Sequence, residues 1–124
     1  MTKIGIIAGD GGLPKYIGDS LIKKNYDIMY FLINNNRKIY LNEKFVNINI
    51  LSIKNIFKIL DSNNIKNIIF AGSIKRPGIK DIGFDFQTFL LAKNLLLEKK
   101  GDNDLLVSIK KYFESKGYTF FNWT

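Results

Sequence analysis

Two hydrophobic periods alternate along this chain. Lys3 to Ala8 (KIGIIA) is a short β-branched apolar run that ends in Gly9-Asp10-Gly11-Gly12. Such a run predicts a strand buried on both faces of a parallel sheet, followed by a tight turn. Pro14 suits the first turn of a helix reaching about Lys24, where its missing N–H leaves no hydrogen bond unmade. Asp27 to Ile33 predicts a second buried strand, stopped by Asn34, Asn35 and Asn36. Residues 34–45 are polar and lack a helical period, which predicts a loop with room for a short edge strand around Ile39-Tyr40-Leu41. Phe45 to Ile50 predicts a third strand. Ser52 stands where a helix cap belongs, and Ile53, Ile56, Phe57 and Leu60 then share one helical face opposite Lys54, Lys58 and Asp61.

The second half repeats the scheme. Asn67 to Ala71 predicts a fourth buried strand, and Gly72 opens the loop Gly72-Ser73-Ile74-Lys75-Arg76-Pro77. A helix is expected from about Phe86 to Glu98, and Gly101 separates it from another over 103–116. In the latter, Leu105, Leu106, Ile109 and Phe113 face inward while Lys110, Lys111 and Glu114 face outward. Gly117 falls at its C′ position, and Tyr118 to Asn122 forms a last strand. Strands alternating with helices imply an α/β chain with a mostly parallel sheet of about five strands, helices on both faces, and one domain over residues 1–124. Ligands of such sheets bind beyond the carboxyl ends of the strands, where the loops 9–14 and 72–77 both fall.

Composition removes several chemistries. The 124 residues include no Cys and no His, which excludes disulfides, thiolate zinc sites, Cys nucleophiles and Ser-His-Asp machinery. Acid–base work falls to carboxylates, Lys or Tyr. No cationic segment precedes a long apolar run, so neither a signal peptide nor a transmembrane span is expected. The net charge of +8 invites a phosphate-bearing partner. However, 20 Ile, 17 Lys and 14 Asn stand against two Arg, which is the drift of an AT-rich genome. The lysines lie on the outward faces of several helices rather than on one stripe, so nucleic acid is not the expected partner. Arg37 and Arg76 remain as the two arginines.

Three short stretches carry candidate chemistry. Gly9-Asp10-Gly11-Gly12-Leu13-Pro14 follows a strand and opens a helix, so its amides can cradle a phosphate at the helix N-terminus. Its sixth position is Pro14 rather than Gly, and three Asn follow the second strand where a ribose-binding acid would stand. NAD is therefore not expected, and without a Gly-Lys-Ser/Thr ending the stretch is not a P-loop. The glycines also satisfy a plain tight turn with positive φ. Gly72, Ser73, Lys75 and Arg76 add a hydroxyl and two cations suited to an anion, against the simpler reading of a solvated loop. Asp102 and Asp104 in Gly101-Asp102-Asn103-Asp104 suit a helix cap and dipole better than a metal site. The helix expected at 86–97 is apolar nearly all round, the pattern of a surface covered by a partner.

In this order and spacing, Ala8 to Pro14, Gly72 to Pro77 and Gly101 to Leu106 resemble the N-terminal domain of a known family. It is the two-domain UDP-2,3-diacylglucosamine pyrophosphatase of lipid A synthesis, the type unrelated to the metallophosphoesterase with the same activity. The resemblance implies a Rossmann-like three-layer sandwich joined to a C-terminal domain that brings most of the catalytic carboxylates. It implies hydrolysis of a UDP-linked diacylated glucosamine to UMP and 2,3-diacylglucosamine 1-phosphate with a divalent metal, expected to be Mg²⁺, that this domain does not hold alone. Gly9, Asp10, Gly11, Gly12, Leu13, Pro14, Gly72, Ser73, Lys75 and Arg76 are the expected substrate contacts, with Asp102 and Asp104 structural. The expected setting is cytoplasmic, peripheral at the inner membrane. The expected partners are the missing C-terminal domain, a companion chain or a second copy, since Trp123-Thr124 falls about where the second domain should begin. A non-catalytic nucleotide-binding or partner-docking module is the other reading these residues allow.

Overall fold

A computed structural model describes residues 1–33, 38–49, 52–72 and 110–123. The apolar runs pair as their β-branched composition demands, with strands β1 (Lys3–Ala8), β2 (Asp27–Leu32), β3 (Phe45–Asn47), β4 (Asn67–Ala71) and β5 (Thr119–Phe120) forming one sheet. Their order is β3-β2-β1-β4-β5, and every pairing is parallel. This is the order of a Rossmann-like sheet, in which the chain first winds outward from β1 and then returns to β1's other side.

The two faces carry separate cores. Helix α1 (Leu13–Lys23) lays Pro14, Ile17, Gly18 and Leu21 on one face, against Ile4, Ile6, Tyr30, Leu32 and Ile69. Helix α2 (Ile53–Ser62) buries Ile53, Ile56 and Leu60 on the other, with Ile7, Phe31 and Ile68. Residues 110–115 are helical and bring Phe113 to this second core. Lys110, Lys111 and Glu114 point outward, as their spacing demands. Helices thus cover both faces, and the central strands are apolar on both.

The helix ends follow from local chemistry. Gly117 takes φ +95°, and Asn25 and Asn64 take φ 68° and 58° just past α1 and α2, where the chain reverses in the left-handed region. Ser52 sits at the N-cap of α2, although its hydroxyl makes no cap hydrogen bond.

Residues 38–40 depart from the expected edge strand. They form a single 3-10 turn that buries Tyr40 against Tyr30, with ring centroids 4.7 Å apart. One inward residue flanked by two exposed ones fits either shape, and three residues are too few to separate a period of two from a period of three. β3 and β5 are also shorter than their apolar runs. The helices expected at 86–98 and over 103–109 lie outside the described residues.

One side-chain network fastens the far end of the sheet. The Tyr118 hydroxyl donates to Asp61 Oδ1 at 2.6 Å, and Lys66 Nζ lies 3.3 Å from the same oxygen. The Tyr118 hydrogen bond, with help from Lys66, holds the Asp61 carboxyl below its ordinary value of 3.8. A depressed carboxyl stabilises the fold above its unfolded value and loses that contribution as pH falls through the folded one. Stability is therefore expected to decline below about pH 4. Tyr118→Phe should flatten that decline, which thermal unfolding midpoints at pH 7 and pH 3 would read. An equally steep acid limb in the variant would remove the pair from the explanation.

Candidate functional site

The carboxyl edge of the sheet collects the loops that carry unusual residues. β1 and β4 are neighbours, and the order of connection reverses between them. A crevice opens at such a reversal because the two loops leave toward opposite faces. Here the glycine loop touches the end of β4 and Gly72. The Gly9 amide donates to the Ala71 carbonyl at 2.8 Å. Gly72 has φ +87°, and a Cβ there would lie 2.7 Å from the Asp10 carbonyl oxygen and 2.8 Å from the Gly9 carbonyl carbon. Only a residue without a side chain lets the two backbones approach this closely.

The β1 loop is shaped to leave amides free. Gly11 takes φ +100° and turns the chain into α1, whose N-cap is Gly12. No side chain caps this end. The first helical bond runs from the Tyr16 amide to the Gly12 carbonyl at 3.1 Å. The amides of Leu13 and Lys15 therefore precede the helical ladder, and Pro14 between them has none. Among the described residues, a Cβ at Gly11 or Gly12 would meet no atom within 4 Å, which leaves space over the loop there. Positive helix dipole, two orphan amides and open space suit an anion. Asp10 is exposed beside them and sets a negative charge at the rim.

Lys15 is close in sequence but is directed elsewhere. Its ammonium lies 3.0 Å from Asp19 Oδ1 and 3.6 Å from Glu43 Oε1. The Asp19 hydrogen bond, with Glu43 behind it, raises its pKa despite some burial. That pair clips α1 to the segment after the 3-10 turn.

Of the expected contacts, the structure gathers Gly9, Asp10, Gly11, Gly12, Leu13, Pro14 and Gly72 at one edge. Leu13 is exposed and Pro14 is buried under the helix. Ser73, Lys75 and Arg76 lie outside the described residues, as do Asp102 and Asp104. Asn47 also reaches this edge, although its place in a plain strand pattern gave no signal of it. It ends β3 level with Leu32, which is itself level with Ala8. Its side-chain oxygen is closed off from solvent and has no hydrogen-bond partner among the described residues.

A divalent ion asks for several oxygen ligands. Among the described residues no group of three or more acidic side chains is placed to hold one, and the glycine loop offers the single carboxylate of Asp10. These residues do not by themselves fit a metal. Among them, too, no helix is long and apolar enough to cross a membrane.

Comparison with known families matches residues 3–124 to the LpxI N-terminal domain. The chain belongs to this family. It is thereby an LpxI-like domain of the lipid A pathway. No curated protein matches the chain. Among solved structures, it is similar to the Bordetella bronchiseptica enzyme WbmH in complex with NAD⁺, at 12% identity and TM-score 0.49, over 89% of this chain and 35% of that one. It is also similar to a 4-hydroxyisoleucine dehydrogenase complexed with NADH, at 22% identity and TM-score 0.46, over 93% of this chain and 51% of that one. The LpxI-like domain thus spans about a third and about half of those chains.

Proposed function

We propose that this LpxI-like domain is the substrate-binding part of a UDP-2,3-diacylglucosamine pyrophosphatase. The reaction cleaves a phosphoanhydride bond with water and yields UMP and 2,3-diacylglucosamine 1-phosphate. The reading is carried by the junction of the glycine loop with Gly72 at the β1/β4 reversal, in a chain of the LpxI N-terminal family.

Hydrolysis of a diphosphate needs two things: neutralisation of the negative charge on the phosphoryl oxygens and a water placed in line. The Leu13 and Lys15 amides at the α1 dipole serve the first by donating to a phosphate oxygen. Lys75 and Arg76, on the loop that Gly72 begins, add charge and a bidentate fork. A bound Mg²⁺ would neutralise further charge, and the C-terminal domain of the family would supply its carboxylates and the attacking water. This chain's share is to bind and orient, in the cytoplasm at the surface of the inner membrane.

Gly12→Leu separates binding from folding. Gly12 has φ −91°, an ordinary value for any residue, and among the described residues a Cβ there meets no atom within 4 Å. The variant should unfold within a few degrees of the parent yet bind UDP at least about tenfold more weakly, a loss of about 1.4 kcal/mol. Thermal unfolding checks the first point and calorimetric titration with UDP the second. A parent chain that shows no saturable UDP binding would end the nucleotide reading, and equal affinities would acquit the loop.

A further inference from the structure

We propose that the outer face of α2 and residues 110–116 is a docking surface for an anionic lipid bilayer. The choice of occupant rests on the proposed function above, whose diacylated substrate comes from a membrane. The surface itself rests on the fold. Along the chain the lysines lie scattered over several helices, but the sheet brings two of those stretches side by side, because α2 and residues 110–115 pack on the same core. Phe57 of α2 meets Phe113 edge-on at 5.0 Å and Tyr112 at 5.8 Å. With Ile53, Ile56, Leu60 and Phe113 turned inward, Lys54, Lys58 and Lys111 are left on the outside.

Lys66, Lys110 and Lys116 border the same face, which sets six lysines against the acids Asp61 and Glu114 among the described residues. Asp61 is already taken by Tyr118 and Lys66. Among the described residues no acid lies within ion-pair distance of the other five lysines. Three ammoniums rest on rings: Lys66 lies 5.2 Å from the Tyr118 centroid, Lys110 5.3 Å from that of Phe120 and Lys116 5.6 Å from that of Tyr112. A ring holds a cation in place without cancelling its charge. The axes of packed neighbouring helices lie about 10 Å apart, and the screening length at physiological salt is about 8 Å. The fields of the two lysine rows therefore add.

Such a face suits lipid headgroups. Ammoniums are point charges on flexible stems, which match mobile phosphates, whereas an arginine fork suits a fixed one. Each lysine close to an acidic bilayer strengthens binding about fivefold. Nucleic acid fits less well, because Tyr112, Tyr118 and Phe120 pack on the core or lie beneath ammoniums and leave no ring free to stack a base. The α1 face presents a weaker field, since Asp19 and Glu43 both hold Lys15 there. Chain direction fixes how the bilayer meets the site. α2 runs from the carboxyl end of β3 to the amino end of β4, so Lys54 in its first turn stands at the same edge as the glycine loop. A bilayer on this face borders the edge that receives the diphosphate.

Co-sedimentation with vesicles tests this, using phosphatidylcholine alone and an equal mixture with phosphatidylglycerol. The chain should bind the mixed vesicles, leave phosphatidylcholine alone unbound, and be released by added salt. Lys54→Gln, Lys58→Gln and Lys111→Gln together should lower affinity for the mixed vesicles about a hundredfold. Lys23→Gln, Lys24→Gln and Lys38→Gln remove the same charge from lysines exposed elsewhere and should cost less than about tenfold. Equal losses in the two triple variants would mean that net charge alone attracts the chain, and would overturn the face. So would equal binding to both kinds of vesicle, or binding to neither. A DNA duplex held more tightly than the mixed vesicles at the same salt, and lost in the first variant, would give the face to nucleic acid and overturn the bilayer. UDP titration separates this surface from the nucleotide site, since the first variant should keep the parent's UDP affinity and unfolding midpoint. A chain that binds the mixed vesicles but not UDP keeps the surface and ends the nucleotide reading. One that binds UDP but no vesicle ends the surface alone.

Discussion

Gly72→Ala is expected to destabilise the fold by about 3 kcal/mol or more and to abolish ligand binding at the carboxyl edge. Two costs add. Placing an L side chain at φ +87° costs about 1–2 kcal/mol, because its Cβ crowds the following carbonyl. The new methyl must also displace the backbone of Gly9 and Asp10, whose nearest atoms lie at 2.7 and 2.8 Å. Backbone does not rotate away as a flexible side-chain tip can, and overpacking of this kind costs a further 1–3 kcal/mol or so. The displaced loop is the one that presents the free amides, so binding falls with stability. Gly11→Ala supplies the contrast: φ is +100° but no atom of the described residues lies within 4 Å of a Cβ there. It should show only the conformational cost of about 1–2 kcal/mol. Chemical denaturation of the two variants measures the difference. Equal destabilisation would mean that the contact of Gly72 with Gly9 and Asp10 contributes nothing.

That contrast also marks how far residue patterns reach. β1, β2, β4 and both helices before residue 62 were legible because long apolar runs and one-sided stripes report burial directly. Their parallel pairing followed from alternation alone. The glycine loop was legible as a turn, yet its residues looked alike. Only Gly11 of Gly11 and Gly12 needs positive φ, whereas Gly12 sits at φ −91° and caps a helix. Gly72 read as a flexible start to a cationic loop, and its closeness to Gly9 and Asp10 depends on strand positions 63 residues apart, such as Ala8 and Ala71, becoming neighbours. The segment at 38–40 failed for a different reason. Tyr40 turns inward to meet Tyr30 across the sheet face, and no local period records a partner ten residues earlier. Asn47 was hidden because a polar residue at the end of an apolar strand is ordinary until its oxygen proves to have no partner among the described residues.

Gly18 carries the second large effect, and local propensity predicts the wrong sign for it. Alanine in place of glycine inside a helix usually stabilises by about 1 kcal/mol. At Gly18, a Cβ would overlap the Tyr30 hydroxyl oxygen and lie 2.6 Å from the ring carbon that bears it. Tyr30 cannot retreat, since it is fully buried and its ring packs on Tyr40. Relief requires α1 to lift from the sheet, which strips Ile17 and Leu21 of their contacts. An overpacking cost of about 3 kcal/mol, less the propensity gain of about 1, leaves a net loss of about 2 kcal/mol. Because α1 begins at the glycine loop, the lifted helix should also weaken UDP binding. A double-mutant cycle isolates the cause. In a Tyr30→Leu background the ring is gone, so Gly18→Ala should become neutral or stabilising, with a coupling energy of about 2–3 kcal/mol. If Gly18→Ala raises the unfolding midpoint of the unaltered chain, helix propensity outweighs the contact and α1 does not rest on Tyr30.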